Sequence, residues 1–364
     1  MEILIPHNSL LQTLELVSKT STKSATLPVL QCVRIEANDT GITLQATNLE
    51  ISVMTPLTGV VVEPGVVAVP AQTLLQSIQF LSQKEITLRT EDQVLLIETS
   101  TSNTSIKLFP VDDFPTLHQI QGEEISINPE TFSYGIKSVA FAASVTSIKP
   151  ELGSVFVQQK KEHTITFVAT DSFRLMEKTV AQKSFTLDQS FMIPSKNAVE
   201  LARVSDAVGG KAKLIVTENH CALKFENGLY MSSRLVTGNF PDYAQIIPKE
   251  YVSHVTVLKE DLIRSFKRTN IFLNKFRQVT LTITDTNLTI ASNNNEIGHT
   301  TDTIKAEVDG DELALNFNQQ YVMDPLQHIE DDSILLHFAG IGRALVLEGL
   351  SDKSLRYLVM PMNK

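Results

Sequence analysis

The chain has 364 residues, 42% of them hydrophobic, with 31 Lys and Arg against 41 Asp and Glu. That length calls for two or three domains, and the hydrophobic share excludes general disorder, which needs low hydrophobicity together with high net charge. A formal charge of −10 excludes a protein that grips nucleic acid over its whole surface, because such affinity comes from Lys and Arg displacing counterions; a locally basic face stays open.

In chain order, Leu10, Leu11, Leu14 and Val17 fall on one helical face and predict a helix over 8–20. A strand-like run, Ile42 to Gln45, follows. Leu74, Leu75, Ile78 and Leu81 then predict a second helix over 71–83, ahead of strands at Val94–Ile97 and Ile106–Leu108 bounded by Thr, Ser, Asn and Asp. Further helices are predicted over 129–143, 195–208, 259–275 and 318–330, the last kinked or restarted by Pro325. Six helices separated by groups of short strands make an α+β fold with mainly antiparallel sheets.

The segments repeat. Ala46-Thr47-Asn48 returns as Ala169-Thr170-Asp171 and as Ala291-Ser292-Asn293, 123 and 122 residues further on. Val69-Pro70-Ala71, Ile193-Pro194-Ser195 and Asn316-Phe317-Asn318 form a second landmark, and Asp113-Phe114-Pro115, Asn239-Phe240-Pro241 and Val359-Met360-Pro361 a third. Three landmarks in one order and one spacing describe three units of about 120 residues, with boundaries at 1–121, 122–247 and 248–364. The predicted helices together carry +1, with 259–275 alone at +3, so the remainder carries −11.

Catalytic signatures are missing. There is no phosphate loop, zincin helix or nucleophile elbow, and the eight histidines are scattered singly without metal-ligand spacing. Gly340-Ile341-Gly342 reads as a turn, because Leu345 occupies the third glycine position of a dinucleotide motif. Asp171 is the best candidate acid, with His163 or His220 as a conceivable base, yet Asn48 and Asn293 hold comparable positions and point to a strand-end turn. The reading is non-enzymatic, with no cofactor and no metal. No run approaches the roughly 18 apolar residues of a spanning helix. The start MEILIPHNSL lacks secretory features, and Cys32 and Cys221 are too few for a disulfide framework; a cytoplasmic protein with reduced thiols is expected.

Ala169-Thr-Asp-Ser-Phe-Arg-Leu175, Tyr357-Leu-Val-Met-Pro-Met362, Thr26-Leu-Pro-Val-Leu30, Ala46-Thr-Asn-Leu-Glu-Ile51, Phe240-Pro-Asp-Tyr243 and Asn274-Lys-Phe-Arg277 together resemble the bacterial DNA polymerase III β subunits, the sliding clamps. The likeness spans the whole chain in order. It implies three similar clamp domains, each with two helices on antiparallel sheets, assembled head to tail as a homodimeric ring around double-stranded DNA. It also implies the role of a processivity factor for the replicative polymerase, with a groove for linear peptides of the polymerase catalytic subunit, the clamp loader, mismatch-repair proteins, DNA ligase and translesion polymerases.

Carried over by resemblance, the groove is Leu152, Thr170, Ser172, Phe173, Arg174, Leu175, Pro241, Ile246, Tyr321, Leu358, Met360, Pro361 and Met362. Apolar side chains around a few polar ones suit an anchored peptide, and Met adapts to several partners. Without the resemblance, Leu175, Tyr321 and Leu358 read as plain core. The family's usual Gly-His is Ser172-Phe173 here, Gln245 stands where some members carry arginine, and the tail is Asn363-Lys364, so a shifted peptide preference is expected. Lys23, Ser24, Lys149 and Lys196 match positions facing DNA, Ser24 replacing an arginine of some relatives. Arg203, Arg264, Lys267 and Arg268 join them from helix charge alone. Ile271 and Phe272 match apolar positions of the ring seam, with partners expected near 73–80 and 101–108. The competing reading is a repeat-built interaction scaffold that does not encircle DNA.

Overall fold

The computed structural model describes residues 1–21, 26–146 and 148–362. They form two compact units, Met1–Ser133 with Val199–Leu235, and Tyr134–Ala198 with Val236–Lys364, so the central repeat contributes to both.

In the first unit, a five-stranded sheet runs in the order Val60–Glu63, Glu2–Pro6, Glu85–Glu91, Val94–Glu98, Asn103–Lys107. An eight-stranded sheet joins Glu124–Ile127, Ala212–Val216, His220–Phe225 and Tyr230–Arg234 to Ile51–Leu57, Gly41–Thr47, Cys32–Asn38 and Gly65–Pro70. In the second unit, a nine-stranded sheet runs Phe191–Pro194, Ser154–Gln158, Thr164–Thr170, Arg174–Ala181, then Leu355–Val359, Leu345–Gly349, Ser333–Phe338, Ser253–Leu258 and Glu307–Gly310. A four-stranded sheet has the order Gly298–Lys305, Asn287–Asn294, Gln278–Thr284, Leu313–Asn318.

The pairing of strands follows the repeat. Tyr230–Arg234 of the second repeat lies antiparallel on Ile51–Leu57 of the first, and Leu355–Val359 of the third lies in the same way on Arg174–Ala181 of the second. Each large sheet is thus continuous across a repeat junction. Alternating burial gives each sheet one apolar face, as in Val279, Leu281 and Ile283 of strand Gln278–Thr284.

The six helices are α1 (His7–Val17), α2 (Ala71–Ile78), α3 (Pro129–Val139), α4 (Ser195–Val208), α5 (Lys259–Thr269) and α6 (Gln319–Met323). In α1, Leu10, Leu14 and Val17 are fully buried, each stabilising by roughly 1.5–3 kcal/mol relative to exposure. The second landmark marks the step from strand to helix, since α2, α4 and α6 start at or just after Ala71, Ser195 and Asn318. Five helices end earlier than their periodicity predicts, α1 at Val17 and α2 at Ile78 among them. α3 and α5 tighten into 3-10 turns at Ala140–Ala142 and Asn270–Phe272. α6 gives way to the 3-10 turn Asp324–His328, where Pro325 has no N–H to continue an α-helical ladder. Gly340 and Gly342 both take positive φ, 110° and 72°, as a turn requires.

Candidate functional site

The hairpin between Thr164–Thr170 and Arg174–Ala181 organises the candidate groove. At its turn, the Thr170 hydroxyl donates to the carbonyl of Arg174 (2.7 Å) and accepts from the N–H of Ser172. Asp171 Oδ1 accepts from the N–H groups of Phe173 and Arg174 (2.9 and 3.0 Å), and its Oδ2 accepts from Arg174 Nε (2.9 Å). Ser172 sits at φ +76°, a conformation favoured by glycine, which turns Phe173 outward at 61% exposure. Both Asp171 oxygens are therefore occupied in holding a turn.

Arg174 is the centre of the polar part. Its guanidinium pairs with Asp171 and Asp324, donates to the carbonyl of Phe141 (2.8 Å), and lies 4.4 Å over the ring of Tyr321 and 5.5 Å over that of Phe141. Tyr321 is set by the α6 N-cap, where Asn318 Oδ1 accepts from the N–H groups of Gln320 and Tyr321. Its carbonyl accepts from the Tyr357 hydroxyl (2.6 Å). Burial pushes the phenols of Tyr357 and Tyr321 above their ordinary value, and lowers the imidazole of His328, which stacks on Phe141 at 4.9 Å.

The apolar part has two layers. Leu175 faces Leu358 across the strand pair, and both are buried with Val168, Tyr243, Ala344 and Val346, against which Phe156, Phe240, Ile247 and Tyr251 pack. Above this floor stand exposed side chains: Phe173, Ile246 at 56% and Met360 at 40%. Met360 is joined to the hairpin tip by its N–H to the Phe173 carbonyl (2.8 Å), while the N–H of Met362 donates to the carbonyl of Asn316 on strand Leu313–Asn318 (2.7 Å). Pro241 is exposed, while Pro361 and Met362 are half-buried.

The sequence-derived groove thus divides. Phe173, Ile246, Met360, Pro361 and Met362 offer surface to a ligand. Leu175 and Leu358 are floor, as their core reading requires, and the Thr170 hydroxyl is occupied within the turn. Leu152 is also buried, on the 3-10 turn Pro150–Gly153. Asp324, Phe141, Ala344 and Val346 carry no local motif: Phe141 and Asp324 come from 3-10 turns and Val346 from a strand, all distant in sequence from Arg174.

The charged positions divide similarly. Lys23 and Ser24 lie outside the described residues. Lys196, in the first turn of α4, is exposed and enters no ion pair among the described residues. Lys149 precedes the Pro150–Gly153 turn and is exposed. Arg203, a candidate from helix charge, pairs with Glu200 and donates to the Leu16 carbonyl at the end of α1 (2.6 Å). Arg264 pairs with Asp261 and Arg268 with Asp302 (3.2 and 2.9 Å), which leaves Lys267 as the one of these three candidates without an ion pair among the described residues. At the expected seam, Ile271 is 67% exposed and Phe272 half-buried. Phe276 and Ile297 add exposed apolar surface in the same repeat.

Comparison with known proteins decides the family. Family models of the DNA polymerase III beta subunit match the N-terminal domain at 1–118, the central domain at 126–242 and the C-terminal domain at 244–363. The chain belongs to the DNA polymerase III beta subunit family, the DNA sliding clamps. It is 27% identical over 366 residues to the beta sliding clamp of Escherichia coli (strain K12), covering all of both chains, and 29% identical over 373 residues to that of Pseudomonas aeruginosa, again covering all of both. The crystal structure of the Pseudomonas aeruginosa DNA polymerase III subunit beta is similar with a TM-score of 0.94 at 26% identity, covering both chains fully. In fold, the Thermotoga maritima beta subunit is as close, with a TM-score of 0.94 at 23% identity and 100% and 99% coverage. The three sequence repeats are the three beta-clamp domains of this family. Among the described residues, no helix is long and apolar enough to cross a membrane, and no group of three or more His, Cys, Asp or Glu could hold a metal ion.

Proposed function

We propose that this sliding clamp works as a head-to-tail homodimeric ring closed around double-stranded DNA, a non-catalytic processivity factor of the cytoplasm that tethers the replicative polymerase. One observation carries the reading. Two of the three repeat junctions are sheets continuous from one repeat to the next, and the third is missing within the chain. Strand Asn103–Lys107 ends the five-stranded sheet and strand Gly298–Lys305 ends the four-stranded one. These edges correspond by repeat position to Tyr230–Arg234 and Leu355–Val359 on one side, and to Ile51–Leu57 and Arg174–Ala181 on the other. An exposed sheet edge is a template for another chain, and an edge of one kind meeting the other kind on a second copy is a heterologous contact that closes by rotation. Ile271 and Phe272, whose 3-10 turn packs on the Gly298–Lys305 edge strand, and Ile297 just before it supply apolar area for burial.

The three domains are taken as 1–121, 122–247 and 248–364. The groove of the second unit receives linear segments of the polymerase catalytic subunit and the clamp loader, and of mismatch-repair proteins, DNA ligase and translesion polymerases. Its support is the set of exposed apolar side chains Phe173, Ile246 and Met360 beside a buried apolar cluster, a mixed surface of the kind that anchors peptide side chains. Lys149, Lys196 and Lys267 are the candidates to face DNA. A ring needs only weak phosphate contacts, because topology holds the DNA, and an acidic remainder disfavours DNA elsewhere.

Sedimentation tests the seam. Changing both Ile271 and Phe272 to Asp places two uncompensated charges in the proposed interface, and the expected product is a folded monomer at micromolar concentration. A dimer of unchanged affinity would place the seam elsewhere and favour the scaffold reading.

A further inference from the structure

The floor of the groove continues along one cross-strand row into a pair of histidines. Leu175 faces Leu358, Leu358 faces Val346, Val346 faces His337, and His337 faces His254. Residues paired across antiparallel strands point to one face of a sheet, so the imidazoles share the face of the floor leucines. The two Nδ1 atoms lie 2.6 Å apart, a hydrogen bond that needs one of these nitrogens protonated and the other bare. Tyr251 spans the junction. Its ring stands edge-on to His254 (5.6 Å) and tilted against His337 (5.1 Å), and it packs on the buried cluster that holds Leu175, Leu358 and Val346. Ile247, four residues earlier, packs on the same cluster, and Ile246 beside it is one of the exposed apolar side chains of the groove. Just after Tyr251 the chain is anchored by the N–H of Val252 to the Phe338 carbonyl (2.8 Å).

Both histidines are half-buried. Burial lowers the His337 imidazole; Glu348 opposes this, while His254, Lys353 and Arg356 reinforce it. Glu348 is itself engaged by Arg356 (2.9 Å) and Lys353 (3.5 Å). On the outer strand, exposed Asp309 stands opposite His254, with Glu307 at the next position of that face. One added proton leaves the bond between the Nδ1 atoms intact, because one ring still offers a lone pair. A second makes both atoms donors and sets two like charges against each other at 2.6 Å, so the rings must part.

We propose that the histidine pair and Tyr251 form a proton-operated clasp on the peptide groove. Double protonation separates the imidazoles, unseats Tyr251 and loosens the segment carrying Ile246 and Ile247, so linear peptides bind more weakly at acid pH. The clasp regulates the groove and therefore rests on the groove reading above. Coupling is reciprocal, so a bound peptide in turn resists uptake of the second proton.

The test uses the full chain and acetyl-Gln-Leu-Ser-Leu-Phe amide, a probe with no group that titrates between pH 7.5 and 5. Titration calorimetry is run at both pH values and one ionic strength, with circular dichroism showing the chain folded at each. Affinity of the native chain should fall by about fivefold or more. His337→Phe and His254→Gln, each of which removes one partner of the pair, should bind as the native chain does at pH 7.5 and lose less than about twofold at pH 5. An affinity that is equal at both pH values, or that falls by the native factor in both variants, would overturn the clasp. Absence of binding at pH 7.5 would instead remove the groove reading. Ring-nitrogen NMR shifts of His254 and His337 test the clasp independently of any peptide. Two separated steps of proton uptake are expected, the second accompanied by faster hydrogen exchange over 247–251 after correction for the intrinsic pH dependence. Titration as two independent imidazoles would overturn the proposal.

Discussion

Replacing Arg174 with alanine removes the cation that two carboxylates share. The guanidinium and the Asp171 carboxylate are each 11% exposed and that of Asp324 is 18% exposed, so solvent screens the pairs little. Removing one partner of such a buried pair costs about 3–5 kcal/mol, because the remaining charges stay desolvated and uncompensated. Loss of the stack on Tyr321 and Phe141 adds about 0.5–2 kcal/mol, and the contributions overlap because one group makes both. Asp171 keeps its two backbone N–H donors, which offsets part of the loss, so the worked figure is about 3 kcal/mol. At about 2–4 °C per kcal/mol for a unit of this size, thermal unfolding of the second unit should fall by about 6–12 °C. Asp324→Asn in the same background should recover part of that loss, since it removes the stranded charge. A double-mutant cycle by calorimetry gives the coupling. A fall below 1 kcal/mol, or additivity of the two changes, would refute the account of Arg174 as the clasp of this site.

Two further outcomes follow from the same site. The Phe173→Ala, Met360→Ala variant should weaken binding of a Gln-Leu-x-Leu-Phe-type peptide by about 2–4 kcal/mol in titration calorimetry, with its melting temperature little changed because both side chains are exposed; an unchanged dissociation constant would remove the groove assignment. Burial lowers the imidazole of His328, opposed in part by Asp324 and reinforced by Lys178. Its unfolded form therefore binds a proton first as pH falls below about 6.5, and stability is lost progressively as pH drops toward the lower folded value. His328→Phe keeps the stack on Phe141 without the titration, so its stability should fall less steeply between pH 7 and 5 in urea titrations. An identical slope would mean the lost protonation lies elsewhere.

The helices and the repeat were legible because both are local or periodic. Leu10, Leu14 and Val17 mark a face directly, and the Asn48, Asp171 and Asn293 landmarks recur at nearly constant spacing. The predicted ends of five helices overrun the observed ones; for α3, α5 and α6 the periodicity continues through the 3-10 turns that follow them. The pairing of Arg203 with Glu200 was available in the i, i+3 spacing, but counting helix charge alone hid it. Asp324 reaches Arg174 from 150 residues away, and Val346 reaches the groove floor by strand order; neither distance leaves a trace in neighbouring residues. The depth of Leu175 and Leu358 was likewise undecidable in sequence, since a leucine that floors a groove and one that fills a core share the same alternation.

Retention on circular DNA tests the central claim most directly. The protein is loaded onto a nicked plasmid with a matching clamp loader and ATP, free protein is removed, and the DNA is then linearised while bound protein is followed. A closed ring held by topology predicts stable retention on the circle and release on cutting. Retention on the linear form would contradict it, because a chain of net charge −10 would then be gripping DNA directly.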